Sequence, residues 1–432
     1  MEQEAGEATL QPYASSMADD FDGFRPQHTE TVRAERLVAG GAALSRREDG
    51  RIVMVEGALP GELVEVRLER RHGTERGRLL QILEPSPERI EPSCPHVLEG
   101  CGGCDLAALG EEAQRAAKLE MVTDSLRRLG RLSDPVVRPG PALPPWSFRT
   151  TLRMAVVDGR AGLRRSDSHD VVELDHCAVA HPLLDQLIVE GRFGSATEVM
   201  LRVGASTGER LAVVSPNTSG VSLPPDVLVV GSDELSAGRR AWIHEEVAGR
   251  RWRISAESFF QTRADGAEAL VSTVRSMCAD VLDRAGATDR PATMLDAYCG
   301  VGLFAGALLE GRTGWRAVAA ERSRSSVADA RQNLVDLDVR IVGSSIERLR
   351  APKADLVVAD PSRSGLGRAA VKVLTSTDAS RLILVSCDPA AAGRDVRLLS
   401  ESGYRAMESV LVDLFPHTHH TEVVTSFERA ED

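Results

Sequence analysis

The spacing of apolar and polar residues changes character three times along the chain. Between residues 31 and 85 they alternate in TVRAERLVAGG, RIVMVEG, ELVEVRLERR and GRLLQILEP, with Gly, Pro or charge at the breaks. Alternation with period two, cut by turn residues, predicts strands. About five short strands over 29–84 predict a small barrel of OB type. PSPERIEP then interrupts the pattern like a linker. LGEEAQRAAKLEMVTDSLRRLGRL carries Leu, Ala and Met at helical spacing, which predicts an amphipathic helix within 106–132 able to pack on the last domain. Strand patterns return from about 146 to 254 in FRTTLRMAVVD, RAGLRR, DVVELDHCAVA, EVMLRVGAS, ERLAVVS and DVLVVGS, with one helix near HPLLDQLIVEG.

After about residue 255 the texture becomes strand–helix alternation. TMLDAY, RAVAAE, VRIVGS, DLVVAD and LILVSCD are short apolar runs, and helical stretches such as SRSSVADARQNLVDL separate most of them. That pattern predicts a parallel sheet covered on both faces. SVLVDLFPHTHHTEVVTSFER adds two strands joined by a polar loop. The fold class is therefore multidomain: an OB-like β-barrel at 29–84, a mostly β central region at 85–250 that holds a cysteine cluster, and a Rossmann-like α/β domain at 251–432. Residues 1–28 are acidic and predict a disordered tail.

Composition narrows the function classes. The 432 residues carry a formal net charge of −12, which argues against nucleic-acid binding through bulk positive charge. A local basic face remains open, because Arg greatly outnumbers Lys and suits phosphate and base-edge contacts. No run approaches about 18 apolar residues, and the N-terminus lacks a basic then apolar export signal. A cytoplasmic protein without membrane contact is expected. The seven cysteines are odd in number and three cluster, so metal binding or catalysis is expected rather than a disulfide framework.

The first strand of the α/β domain runs into Asp296-Ala297-Tyr298-Cys299-Gly300-Val301-Gly302-Leu303-Phe304. Gly300 and Gly302 make a G-x-G turn where a ligand can approach the backbone. The second strand ends at Glu321, at the offset where an acid accepts the hydroxyls of a ribose. Phe304-Ala305 stands where a dinucleotide site would place its third Gly. S-adenosyl-L-methionine, which has no pyrophosphate, fits at least as well as NAD.

Cys94, Cys101 and Cys104 share the loop CPHVLEGCGGCD, and Cys177 in LDHCAVAHP is the candidate fourth ligand. Four thiolates suit zinc or an iron–sulfur cluster, and spacing does not choose between them. Three reactive side chains fall at the carboxyl ends of the sheet strands, where ligands bind in such folds. Asp360 ends VVAD, Cys387 follows LILVS, and Glu422 begins the last strand. Singly they read as a loop cap, a packed thiol and a surface charge. Together beside a nucleoside pocket they point to covalent catalysis with an acid–base partner.

The motifs stand in a telling order: FFQ at Phe259–Gln261, LDAYCGVGLF at 295–304, Glu321, DPSRSGL at 360–366, VSCDPAAAGRD at 385–395 and FPHTHHTE at 415–422. In these the chain resembles the RNA uracil-5 methyltransferase family, over roughly residues 29–430. The barrel resembles a TRAM domain, an RNA-binding module, and the four cysteines resemble the [4Fe–4S] site of many members. The resemblance implies a class I methyltransferase domain that takes S-adenosyl-L-methionine through Gln261, Tyr298, Gly300, Gly302, Glu321 and Asp360. It implies Cys387 as nucleophile at C6 of a flipped uridine, Glu422 as base at C5 and Asp360 at the base edge. It implies a [4Fe–4S] cluster ahead of zinc on Cys94, Cys101, Cys104 and Cys177, in a structural or RNA-docking role. The partner is RNA, 23S rRNA ahead of tRNA, and the enzyme a monomer. Rival readings are an RNA cytosine-5 methyltransferase and a non-catalytic RNA-binding iron–sulfur protein. Arg263, Leu303 and Asp388 depart from the family, which usually has Asn at each; DPSR replaces DPPR or DPAR, and the cysteine loop is one residue longer.

Overall fold

The computed structural model of the chain describes residues 29–430 except 72–73, 167 and 285–289. The expected acidic tail, 1–28, lies outside the described residues. Strands Thr29–Leu37, Ala43–Arg46, Ile52–Glu56, Thr74–Glu84 and Leu63–Arg71, in that spatial order, close into a barrel. Alternate residues Val32, Ala34, Val53, Val55, Val64 and Val66 point inward, as the period-two pattern requires. The strand Ala43–Arg46 is too short for its alternation to show in sequence. Glu62, fully buried, fastens the barrel to the following segment by accepting from Arg89 (Nη2 to Oε2, 3.0 Å) and from the Leu59 N–H at 2.8 Å.

The central region builds a six-stranded sheet in the order Val227–Gly231, Arg210–Ser215, Glu198–Val203, Thr151–Val157, Arg160–Arg164, Val171–Glu173. The helix Pro182–Glu190 turns Leu184, Leu187 and Ile188 onto its core.

The last domain is an eight-stranded sheet. Five parallel strands run Val339–Gly343, Trp315–Glu321, Ala292–Ala297, Leu356–Ala359 and Arg381–Ser386. The antiparallel strand Glu422–Arg429 lies next, then Tyr404–Val412. Along the central strands, alternate residues enter two different cores. Met294, Val358 and Ile383 belong to one, while Leu295, Val357 and Leu382 belong to the other. Both faces are covered, which accounts for the unbroken apolar runs.

Two upstream pieces complete this domain. Val137–Pro139 adds the eighth strand, parallel to Tyr404–Val412. The helix Glu111–Arg128 sends Ala117 and Met121 into the barrel core, and Val122 and Leu126 into a core of the eight-stranded sheet. It also crosses the helix Pro389–Ser400 closely. A Cβ at Gly393 would stand 2.6 Å from the Ser125 carbonyl oxygen, so glycine is what lets the two backbones meet. No helix among the described residues is long and apolar enough to cross a membrane.

Candidate active site

The strand Arg381–Ser386 is buried from Leu382 to Ser386, and the chain leaves it at Cys387, which is only partly buried. Asp388 is the N-cap of the helix Pro389–Ser400: its Oδ1 accepts from the Ala391 N–H at 2.6 Å. Asp does this work as well as the Asn usual in the family, so the substitution preserves the turn that presents the thiol. Pro389 at the first helical turn gives up no hydrogen bond there.

Asp360 follows the strand Leu356–Ala359, and its N–H donates to the Ala297 carbonyl at 3.2 Å. The loop beyond it is fixed to the helix that starts after Cys387. Asp395 accepts from the N–H groups of Leu366 (2.7 Å) and Gly367 (3.2 Å). Glu422, 3% exposed, opens the last strand next to Arg381–Ser386.

These three side chains act on one another. The Cys387 thiol is pushed up to about 12 by burial and by the charges of Glu422 and Asp360, with Arg363 working the other way. Burial raises the Asp360 carboxyl to about 7. Burial, reinforced by Asp360, holds Glu422 well above the usual carboxylate range. The Cys387 thiol and the two carboxyls thus stand at neighbouring strand ends, close enough for the charge on one to shift the others.

The glycine turn adjoins these strand ends. Gly300 and Gly302 have φ of 54° and 98°, which glycine adopts without strain. A Cβ at Gly302 would come within 2.7 Å of Leu334, whereas one at Gly300 would meet nothing within 4 Å, leaving room for a ligand. Glu321 reaches back to this turn, accepting from the Gly300 N–H at 3.2 Å and the Ser323 N–H at 2.7 Å. Tyr298 is partly buried, and burial raises its hydroxyl pKa. Asp296, which leads the cofactor motif, is buried and accepts from the Ala305 N–H at 2.9 Å. Burial and the charges of Asp360 and Glu321 raise it to about 7. Glu321, Asp296, Asp360 and Glu422 therefore form a row of acids leading to Cys387. A cation placed along the row would relieve it, and a pyrophosphate would aggravate it.

Gln261 is 7% exposed and lines a small cleft with Thr150, Thr151, Arg202 and Glu245. Among the described residues no recorded hydrogen bond joins it to the glycine turn. Arg263 and Leu303 have structural employment. Arg263 is fully buried, lies 4.3 Å over the Phe148 ring, pairs with Asp265 and donates to the carbonyls of Pro144 (2.9 Å) and Leu414 (3.3 Å). Leu303, 6% exposed, packs in the core at the start of its helix.

Cys94, Cys101, Cys104 and Cys177 are each partly buried, and their thiols bear on one another. Burial first, then Cys177, Cys101 and Cys94, raise Cys104 to about 12; burial and Cys101 bring Cys177 to about 11. Such a group calls for a cation that would make the thiolates stable. Gly102 packs against the strand edge, where a Cβ would stand 2.9 Å from the Arg164 carbonyl. Among the described residues, one trio of metal-binding atoms lies within 4.8 Å of one another, that of Cys94, His96 and His176. Asp175 steadies both imidazoles, at 3.0 Å from His96 Nε2 and 2.8 Å from His176 Nδ1. Arg149 is near both this group and the loop before Glu422. Burial lowers its pKa, Cys177 and Cys104 raise it and Arg363 lowers it again, and its guanidinium lies 6.0 Å from the Phe415 ring.

A family profile described as tRNA (uracil-5-)-methyltransferase matches residues 345–430. A protein of Streptomyces avermitilis described as an uncharacterized RNA methyltransferase is 35% identical over 90% of this chain and 96% of its own. One from Streptomyces coelicolor, described in the same words, is 36% identical over 92% of each chain. The fold matches that of the Pyrococcus abyssi tRNA (uracil-54, C5)-methyltransferase, solved with S-adenosyl-L-homocysteine. The TM-score is 0.68 at 23% identity, covering 92% of this chain and 99% of that one.

Proposed function

The chain belongs to the RNA uracil-5 methyltransferase family, and on that premise we propose that it methylates C5 of a uridine in RNA through a covalent adduct on Cys387. The observation that carries this reading is that Asp360, Cys387 and Glu422 stand at the ends of three neighbouring strands, with Asp360 bonded to the strand that leads into the glycine turn. S-adenosyl-L-methionine supplies the methyl group as an electrophile on a sulfonium cation. The acidic row favours that cation over NAD. Glu321 is the residue for the ribose hydroxyls, with Tyr298, Gly300, Gly302 and Asp360 beside it, and Gln261 is proposed as a further cofactor contact.

C5 of uracil is a poor nucleophile, and the chain's own residues remedy this. Cys387 gives up its proton to water and its thiolate forms a bond to C6, which breaks the C5–C6 double bond and sends electron density to C5 and the C4 carbonyl oxygen. Asp360, protonated through this step, donates to that oxygen as charge collects there. C5 would then take the methyl group, with neutral S-adenosyl-L-homocysteine as the leaving group. Glu422 then removes the C5 proton, the C5–C6 double bond re-forms, and the thiolate leaves. The base must leave its stack to reach the pocket, and the barrel at 29–84 is the element proposed to grip the surrounding RNA.

The raised carboxyls set the pH dependence. Glu422 works only when ionised, and burial holds its carboxyl well above the usual carboxylate range, so kcat falls as the pH is lowered, at a higher pH than an exposed carboxylate would set. Removing a neighbouring negative charge lowers an acid's pKa, so Asp360→Asn moves the remaining activity's rise to lower pH. A profile that does not move in this variant contradicts the coupling.

For the cysteine group we propose a [4Fe–4S] cluster on Cys94, Cys101, Cys104 and Cys177. Zinc in a four-thiolate site, with bonds of about 2.3 Å, needs sulfur atoms about 3.8 Å apart. No three of these thiols fall within the 4.8 Å grouping, and a larger centre suits that spacing. Iron and acid-labile sulfide in anaerobically purified protein support this, and zinc in their place overturns it.

The RNA proposed is 23S rRNA, on the combination of barrel and cysteine centre. The second reading is tRNA, favoured by the tRNA enzyme whose chain matches almost end to end. Mapping 5-methyluridine in rRNA and tRNA from cells with and without this gene separates them. No lost 5-methyluridine in either pool counts against the activity itself.

A further inference from the structure

Glu422 is the first residue of its strand, and the loop that leads into it is tied by several bonds to residues some three hundred positions upstream. Lys118 Nζ, in a side chain with no exposed surface, donates to Asp413 Oδ1 at 2.6 Å and to the Phe415 carbonyl at 2.8 Å. Gln114, 2% exposed, accepts from the His417 N–H at 2.7 Å. The Leu106 N–H donates to the His417 carbonyl at 2.9 Å. His417 has φ of 64°, a left-handed conformation that persists in a bulky residue only when its surroundings impose it. Its ring stacks on Trp146 at 3.9 Å. Asp105 accepts twice from His419, from the backbone N–H at 3.1 Å and from Nδ1 at 2.5 Å.

Asp105 is the residue after Cys104. Resting on the proposed function above, we propose that Asp105, Gln114 and Lys118 are positioning residues for the general base. They hold the 413–421 loop so that the Glu422 carboxyl meets the C5 proton, and the cysteine centre fixes the turn that carries Asp105. The centre is then a geometric part of the catalytic apparatus. A buried ammonium and a buried amide both spent on one loop's backbone, together with the imposed His417 conformation, are what an exact placement requires. Fold stability alone is served as well by apolar side chains of similar volume.

The test exploits the order of steps. Cys387 adds and methyl transfer occurs before Glu422 acts, so a misplaced base leaves a methyl-labelled protein–RNA adduct. Asp105→Ala and Gln114→Met are incubated with methyl-labelled S-adenosyl-L-methionine and unmodified total RNA from a strain lacking this gene, and adducts are read on denaturing gels. Both variants should accumulate adduct, with release slowed about tenfold or more, while cluster absorption and Tm stay near wild type. Asp105→Asn keeps an acceptor for the His419 N–H and should restore part of the release. Removing the cluster from the full chain should raise amide hydrogen exchange across 413–421. Release at the wild-type rate in both variants, or activity lost with no adduct, overturns the positioning role. Unchanged exchange severs its link to the cysteine centre. If the wild-type protein itself transfers no methyl group to this RNA, the proposed function falls and this inference falls with it; transfer by wild type makes the variants' result specific to the loop.

Discussion

Replacing Cys387 with Ala should lower methyl transfer by at least about 10⁴-fold, on the scale seen when a covalent nucleophile is removed. Without the thiolate nothing raises electron density at C5, and the electrophile has no partner. The variant should fold normally. Cys387 lies beyond the strand end, partly exposed, and is absent from the cores on both sheet faces. The cap that shapes its turn belongs to Asp388 and is untouched. Binding of S-adenosyl-L-homocysteine should persist, because Glu321 and the glycine turn remain. The measurement is single-turnover transfer to RNA lacking 5-methyluridine. Transfer within tenfold of wild type would remove Cys387 from the chemistry and return it to a packing role.

Glu422→Gln should give a different defect of similar size in multiple turnover, about 10²–10⁴-fold. The substitution keeps volume in a position that is 3% exposed. It removes a charge that raises the Cys387 thiol. Thiolate formation therefore becomes easier, while release of the product stalls. The enzyme should be caught with RNA attached to Cys387, methylated at C5 and stable to denaturation. Adding Cys387→Ala to this variant should abolish the adduct. Steady turnover by Glu422→Gln, with no adduct, would assign the proton to another base.

The strand pattern, and the strand-end positions of Asp360, Cys387 and Glu422, were legible in sequence because each is local. Apolar runs record burial on both faces, and Asp360, Cys387 and Glu422 each sit at a strand end that the sequence marks. Glu321 was found through its offset from the glycine turn. What escaped notice is contact between distant segments. Val137–Pro139 is three residues long and has no periodicity, so nothing announces that it extends the catalytic sheet. Lys118 and Gln114 look like polar positions on an amphipathic helix, yet both are buried against the 413–421 loop. Asp296 read as the start of a cofactor motif, and its raised carboxyl emerged only once Asp360 and Glu321 stood beside it. Arg263 and Leu303 read as departures from a cofactor site, and the fold places them in packing and loop support.

The helix Glu111–Arg128 also bears on how the protein is made. Lys118 and its partner Asp413 are 295 residues apart. At ribosomal rates of about 5–20 residues per second, the helix waits about 15–60 s before its partner is synthesised. Through that interval Val122 and Leu126 lack the sheet core they later join, and the nascent chain presents an uncovered apolar face. A holdase that shields this face, and a synonymous recoding that slows translation downstream of residue 128, should change the yield of active enzyme in opposite directions.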